Sequence, residues 1–320
     1  MGRLLDGQWS DEWYDTSKTE GRFVRQESQF RHRVCAHGTT GFAPDTGRYH
    51  LYVSYACPWA HRTLIYRALK GLESAISVST VDPYMGSEGW TFNDSTGQDP
   101  IMGARVLWEV YVAAAADYTG RVTVPILWDR VTQTIVNNES SEIIRMMNSE
   151  FDSIAASPTL DLSPTSLASE IASWNELIYP TLNNGVYRAG FATTQSAYEE
   201  AVQQVFASLE VIESRLERER FLCGDQLTEA DIRLFPTLYR FDAVYHGHFK
   251  CNVRRLTDYP NLWAYARDIY QQPGVADTCD MGHVKAHYYR SHPTINPSGV
   301  VPIGPALDWN MPYDREGARS

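Results

Sequence analysis

The chain has 320 residues, 43% of them hydrophobic, and carries a formal net charge of −11. This is the composition of a soluble globular protein long enough for two domains. The acidic balance argues against nucleic acid or anionic membranes as main partners and leaves small anionic ligands open. No run of about 18 apolar residues exists to span a bilayer, the first residues lack the apolar core of a secretory signal, and Asp6 stands where a myristoylation signal needs Ser or Thr. The five cysteines, Cys35, Cys57, Cys223, Cys251 and Cys279, are odd in number and far apart, with no Cys-x-x-Cys pair. They fit neither a disulfide framework nor a zinc site. A reducing cytoplasm, no metal and at least one free thiol are the expectation.

Residues 1–45 are polar and aromatic-rich and read as an irregular N-terminal arm. In the segment 46–156, Tyr49, Leu51, Val53 and Tyr55 alternate as one face of a strand. Leu64, Ile65, Ala68 and Leu69 then recur at helical spacing, and Gly71 ends that helix. Residues 75–81 read as a second strand, so the start is a β-α-β unit with a parallel pair. An insertion over 83–120 holds turn formers, two tryptophans and a short alanine run. Two strands around an Asp129-Arg130 turn follow, and Asn138 is placed to cap a helix carrying Ile143, Ile144 and Met147.

The order β-α-β, then β-β-α, is that of a thioredoxin-like domain. A linker by composition covers 157–166, and beyond it the pattern is almost wholly helical. Val202, Val205, Phe206, Leu209, Ile212 and Leu216 form one apolar stripe; Thr228 and Asp231 resemble a capping box, and a further helix is expected over 260–271. The helical domain covers 157–290, and a proline- and glycine-rich extended tail covers 291–320. The expected fold class is therefore α/β plus all-α, a thioredoxin-like domain followed by a helical domain of the glutathione-transferase type, which does not by itself fix the chemistry.

Cys57 stands where the first strand ends and the helix begins. Unpaired backbone N–H groups and the positive end of the helix dipole lie there, so its thiol should ionise more readily than the free value of about 8.5 allows. Pro58 suits the first helical position because its missing N–H costs nothing there. His61, one turn on, can add charge if protonated, although packing explains it better. An isolated cysteine is more often a small buried hydrophobe; strand end, proline and domain order together favour an activated thiol. Ala60 occupies the position of a second cysteine. A disulfide formed at Cys57 must then wait for an outside thiol, and glutathione is the one that suits this fold.

Two further motifs suit a glutathione site. Val124-Pro125 opens a strand; in thioredoxin-like folds this bond is cis, and Val124 can pair its backbone with the cysteinyl unit of a bound peptide. Glu139-Ser140 lies at a helix start, where backbone N–H groups and the Ser140 hydroxyl bind a carboxylate and Glu139 pairs with an α-amino group, matching a γ-glutamyl end. His246 and His248, flanking Gly247, lack a third ligand and read as a solvent-facing loop. His283 and His287 are one helical turn apart without a metal pattern, and the Glu-Arg run at 217–220 reads as a solvated helix end.

The segments Cys-Pro-Trp-Ala-His-Arg (57–62), Gly-Trp-Thr-Phe (89–92), Arg-Val-Thr-Val-Pro-Ile-Leu-Trp-Asp (121–129) and Asn-Glu-Ser-Ser-Glu-Ile-Ile-Arg (138–145) resemble the Xi class of glutathione transferases, the glutathionyl-hydroquinone reductases. His-Tyr-Tyr (287–289) and the tail at 295–305 resemble that class too. The resemblance implies that Cys57 attacks the sulfur of a glutathionylated hydroquinone, releases the hydroquinone, and is regenerated by a second glutathione as glutathione disulfide leaves. It implies that Trp90 walls the glutathione, that Arg121 holds the glycyl carboxylate region, and that Tyr187 and Tyr288 hydrogen-bond the quinol or supply a proton, with Tyr289 the rival to Tyr288. It also implies a homodimer. The alternatives are a conventional conjugating transferase, which needs Ser or Tyr rather than Cys to hold the thiolate, a glutaredoxin-like deglutathionylase, and a non-enzymatic module that keeps the fold.

Overall fold

The computed structural model describes residues 2–92 and 97–315; residues 93–96 of the expected insertion and 316–320 of the expected tail lie outside the described residues, as does Met1. Contacts divide the chain into two units. The first comprises Met1–Trp13, Gln26–Leu160 and Thr278–Pro293, the second Tyr14–Arg25, Asp161–Asp277 and Thr294–Ser320.

The first unit opens with a feature that was expected to be irregular. β1 (Arg3–Leu5) and β2 (Gln8–Ser10) form an antiparallel hairpin. The signal is Asp6-Gly7, a dipeptide that favours the positive φ a tight hairpin needs, with φ of 45° and 73°. A Cβ on Gly7 would lie 2.0 Å from the Ala116 carbonyl oxygen, so the close approach also requires glycine.

β3 (Tyr49–Val53) runs parallel to β4 (Ser77–Thr80), joined through α1 (Pro58–Leu69), as the β-α-β pattern required. The strand stops before Tyr55 because Cys57 N donates to the Ser54 carbonyl at 3.0 Å, closing a turn. All five residues of β3 are buried, not only the alternating set. Lys70, at the end of α1, is wholly buried; its Nζ donates to Asp152 Oδ1 (2.7 Å) and to the carbonyls of Asn148 (2.8 Å) and Leu160 (2.7 Å). The insertion contributes α2 (Leu107–Ala114), which ends within the alanine run, where Ala115 is already extended. β5 (Gly120–Arg121) returns to pair with β1.

β6 (Ile126–Asp129) and β7 (Thr134–Asn137) complete a four-stranded sheet of order β4-β3-β6-β7, with β6 antiparallel to both neighbours. Asp129 shapes their turn, accepting from Val131 N at 3.0 Å and from Arg48 Nε and Nη2 at 2.9 and 2.7 Å. α3 (Ser140–Ser149) follows and buries Ile143, Ile144 and Met147. Its cap is Glu139, not Asn138. Asn138 is diverted to tertiary bonds: its Oδ1 accepts from Phe30 N (3.2 Å) and its Nδ2 donates to Tyr111 Oη (3.1 Å).

His50 of β3 is buried between Ser77 Oγ (2.7 Å from Nδ1) and Ser79 Oγ (2.9 Å from Nε2) of β4. Burial pushes its pKa down to about 3. The unfolded chain binds a proton at this imidazole below about pH 6.5 that the folded chain refuses. Its contribution is therefore complete above that pH and is lost as the pH falls toward 3. We expect denaturant unfolding at pH 5 to show the first unit about 2 kcal/mol less stable than at pH 7 through this group. In His50→Gln the acid sensitivity should shrink by that amount; an unchanged pH dependence would remove the assignment.

In the second unit, α4 (Ala168–Ile178) leads through a π turn at Tyr179–Asn183 into α5 (Gly185–Gly190). α6 (Gln195–Leu216) buries the whole expected stripe. α7 (Glu229–Arg240) begins at Thr228, whose N and Oγ1 both donate to Asp231 Oδ2 at 2.8 Å. α8 (Pro260–Tyr270) lies within one residue of its expected span. The tail anchors Trp309 against Tyr239, Trp263 and Tyr270, with ring centres 4.9–5.4 Å apart. His248, expected to face solvent, is buried, and burial pushes its pKa down to about 4. Within the 217–220 run, Arg220 is bound to buried Asp268 at 2.8 and 3.0 Å. α9 (Met281–Ser291) belongs by its contacts to the first unit. Among the described residues no helix is long and apolar enough to cross a membrane, and no group of three or more metal-ligating side chains occurs.

Candidate active site

Cys57 is the N-cap of α1. Its backbone is extended (φ −79°, ψ 117°), Pro58 starts the helix, and Ala60 N donates to Sγ at 3.5 Å. The sulfur thus receives one of the N–H groups that a helix start leaves without an intrahelical partner. Sγ also lies 3.4 Å from the Val124 carbonyl oxygen. The Val124–Pro125 bond is cis. Strand end, helix start and cis-proline segment, 67 residues apart in sequence, therefore meet at one sulfur. Cys57 is half-buried, and none of the five cysteines, all among the described residues, is in a disulfide.

The Glu139-Ser140 pair is built around α3. Glu139 Oε1 accepts from Ser141 N (3.1 Å) and Ser141 Oγ (2.9 Å), and Oε2 accepts from Ser28 Oγ (3.3 Å). Ser140 is buried, and Arg62 Nη1 donates to its Oγ at 3.4 Å. Arg62 is buried on α1, five residues after Cys57, with its guanidinium 4.5 Å from the Trp59 ring centre. This bond ties the helix carrying the thiol to the start of α3. Neither Arg62 nor Ser28 was predicted from sequence. Arg62 had a signal, a cation one helical turn after Pro58 and next to His61; Ser28 had none, because it comes from the arm.

His61 is buried, with Nε2 2.9 Å from Thr278 Oγ1 and 3.6 Å from Cys279 Sγ, so packing explains it. His283 Nε2 lies 3.1 Å from Ser54 Oγ, three residues before Cys57. Trp90 is buried and stacks on His287, with ring centres 4.8 Å apart at 23°. Arg121 is engaged by the arm: its guanidinium donates to the carbonyls of Glu12 and Trp13, the latter at 3.1 Å. Tyr288 is buried on α9, edge-on to His287 (5.2 Å) and His292 (5.6 Å); Tyr289 is half-buried, and burial pushes its hydroxyl up. Tyr187 belongs to the second unit. There it sits on α5 beside Phe249 (5.5 Å), with the Arg25 guanidinium 5.1 Å from its ring centre.

The other thiols differ in reactivity. Burial pushes Cys223 up to about 11 and Cys251 up to about 12, which makes both poor nucleophiles. Cys35 is pulled down from the ordinary thiol value by the Thr39 hydroxyl, 3.3 Å from its sulfur.

The glutathione S-transferase N-terminal domain family matches residues 56–150, and the C-terminal domain family matches residues 195–268. The chain is 58% identical over 308 residues to glutathionyl-hydroquinone reductase PcpF of Sphingobium chlorophenolicum, covering 96% of this chain and 97% of that protein. The glutathione-bound structure of YqjG, a glutathione transferase homolog from Escherichia coli K-12, superposes with a TM-score of 0.89 at 50% identity over 98% of this chain and 99% of that one. The Xi-class transferase of Natrialba magadii superposes with a TM-score of 0.92 at 49% identity over 98% of this chain and 96% of that one. Identity this high along almost the whole length, on the same two-domain fold, means that the chain belongs to the Xi class of glutathione transferases, the family of the glutathionyl-hydroquinone reductases.

Proposed function

We propose that this protein reduces glutathionyl-hydroquinones to free hydroquinones with glutathione as reductant, and that Cys57 carries the reaction. The Cys57 thiolate attacks the glutathione sulfur of the thioether. The carbon–sulfur bond breaks, its electron pair stays on the ring carbon, and that carbon takes a proton. Cys57 is left in a mixed disulfide with glutathione. A second glutathione thiolate attacks that disulfide, releases Cys57 and leaves as glutathione disulfide. The sum is thioether plus glutathione giving hydroquinone plus glutathione disulfide, with two electrons moved from sulfur to carbon.

The observation that carries this reading is the half-buried thiol capping α1 beside Val124, with alanine where a resolving cysteine would stand. A thiol so placed favours thiolate chemistry, and the lack of a local second thiol favours glutathione as the resolving partner. In this reading Val124 pairs its backbone with the cysteinyl unit next to Pro125. Ser140 and the start of α3 take the γ-glutamyl carboxylate, and Glu139 takes its amino group. Trp90 walls the peptide, Arg121 serves the glycyl end, and Tyr187 and Tyr288 assist the leaving carbon. No metal takes part. A homodimer in the cytoplasm belongs to the same proposal, and light scattering that returns the mass of one chain would remove the dimer.

The test is to mix the protein with a glutathionyl-hydroquinone in the absence of free glutathione. We expect one equivalent of hydroquinone and one glutathionyl group per chain, mapped by peptide mass spectrometry to Cys57. Mapping matters because the Thr39 hydroxyl pulls the Cys35 thiol below its ordinary value. An adduct on Cys35 alone, or hydroquinone release without an adduct, overturns the mechanism. Conjugation of an electrophile as the sole activity would point to a conventional transferase instead.

A further inference from the structure

Trp90 is held by its backbone and by one ring face. Its carbonyl accepts from Leu107 N at 2.8 Å, which fixes the chain at the start of α2. Its Nε1 is buried and makes no hydrogen bond among the described residues, so no polar contact at that edge sets the plane of the indole. What lies flat against the indole is the imidazole of His287, 4.8 Å away and tilted by 23°.

The imidazole is itself held. His287 Nδ1 lies 2.9 Å from the Pro83 carbonyl, so this nitrogen carries the proton and donates it. Ser291, one turn on, has its Oγ 3.4 Å from the same nitrogen and accepts from Met85 N at 3.0 Å. His292 and Tyr288 pack edge-on to the ring at 5.5 and 5.2 Å. α9 thus grips the loop that carries Trp90 at Pro83 and Met85 and presents a fixed plane to the indole.

We propose that His287 is a positioning residue for glutathione binding, acting through Trp90: the flat face of its ring sets the indole plane that the bound tripeptide meets. The proposal rests on the reading of Trp90 as a wall of the glutathione site. A wall whose plane is set before binding spares the ligand the cost of ordering it.

Glutathione half-saturation is measured with kcat in His287→Asn, His287→Phe, Trp90→Ala and the Trp90→Ala/His287→Asn double variant, with thermal unfolding as a folding check. Asn keeps a donor for the Pro83 carbonyl but removes the ring; Phe keeps a flat face but loses the donor. We expect His287→Asn to raise half-saturating glutathione about three- to tenfold, the range an aromatic pair supplies, with kcat at saturation within about twofold. His287→Phe should recover most of the loss, and the double variant should be no worse than Trp90→Ala. An unchanged half-saturation in His287→Asn, or an effect that multiplies on the Trp90→Ala background, overturns the proposal while Trp90 keeps its role. Should His287→Asn not fold, His287→Phe decides: retained affinity supports ring positioning, and a loss equal to that of Trp90→Ala refutes it. If Trp90→Ala alone leaves half-saturation unchanged, the reading of Trp90 falls, and this proposal falls with it.

Discussion

The Cys57→Ser variant is expected to release hydroquinone at least about a thousandfold more slowly than the parent chain. The substitution keeps the N-cap, since serine accepts from a helix N–H at least as well as cysteine, so the bond from Ala60 N and the start of α1 should survive. What it removes is the reacting atom. A serine hydroxyl is essentially un-ionised at neutral pH and forms no bond to sulfur that glutathione can exchange. The loss should therefore appear in turnover with little change in unfolding temperature. Cys35→Ser serves as the control and should stay within about twofold of the parent, because its sulfur is not at the α1–Val124 junction. Turnover surviving in Cys57→Ser would mean that glutathione attacks the thioether directly, and the mixed-disulfide route would be discarded.

In the second unit, Asp231→Ala should cost roughly 3–5 kcal/mol of stability. Four donors converge on this buried carboxylate. Oδ1 receives Leu222 N (2.9 Å) and Tyr265 Oη (2.8 Å), while Oδ2 receives Thr228 N and Thr228 Oγ1 (both 2.8 Å). Truncation strands two backbone N–H groups and a phenol away from water, and each buried unpaired donor costs about 1–3 kcal/mol. It also removes the link between the entry to α7, the turn at Leu222 and α8. Thr228→Ala removes one hydroxyl bond and should cost only about 1 kcal/mol. Denaturant midpoints followed by far-ultraviolet circular dichroism compare the two. If Asp231→Ala cost no more than Thr228→Ala, the carboxylate would be a local cap and not a hub.

Local signals in the sequence determined much of this protein. The β-α-β start, the helical stripe of α6, the Thr228–Asp231 start of α7, the position of Cys57 at a strand end and the proline beside it all depend on neighbours within a turn or two, and each was legible before any fold was known. Asp6-Gly7 is a further local signal, marking a hairpin inside an arm that otherwise looks irregular. Asn138 shows the opposite failure, a good cap by local preference whose amide goes instead to Phe30 and Tyr111.

Only the tertiary structure decided the rest. Arg62 on Ser140, Ser28 on Glu139, His287 on Trp90 and the Arg121 guanidinium on the backbone of Trp13 join residues 78 to 197 positions apart. No periodicity or cap preference encodes such pairs. They exist because a buried cation, hydroxyl or imidazole must find a partner once water is excluded, and which partner it finds depends on where the folded backbone has brought the two chains together.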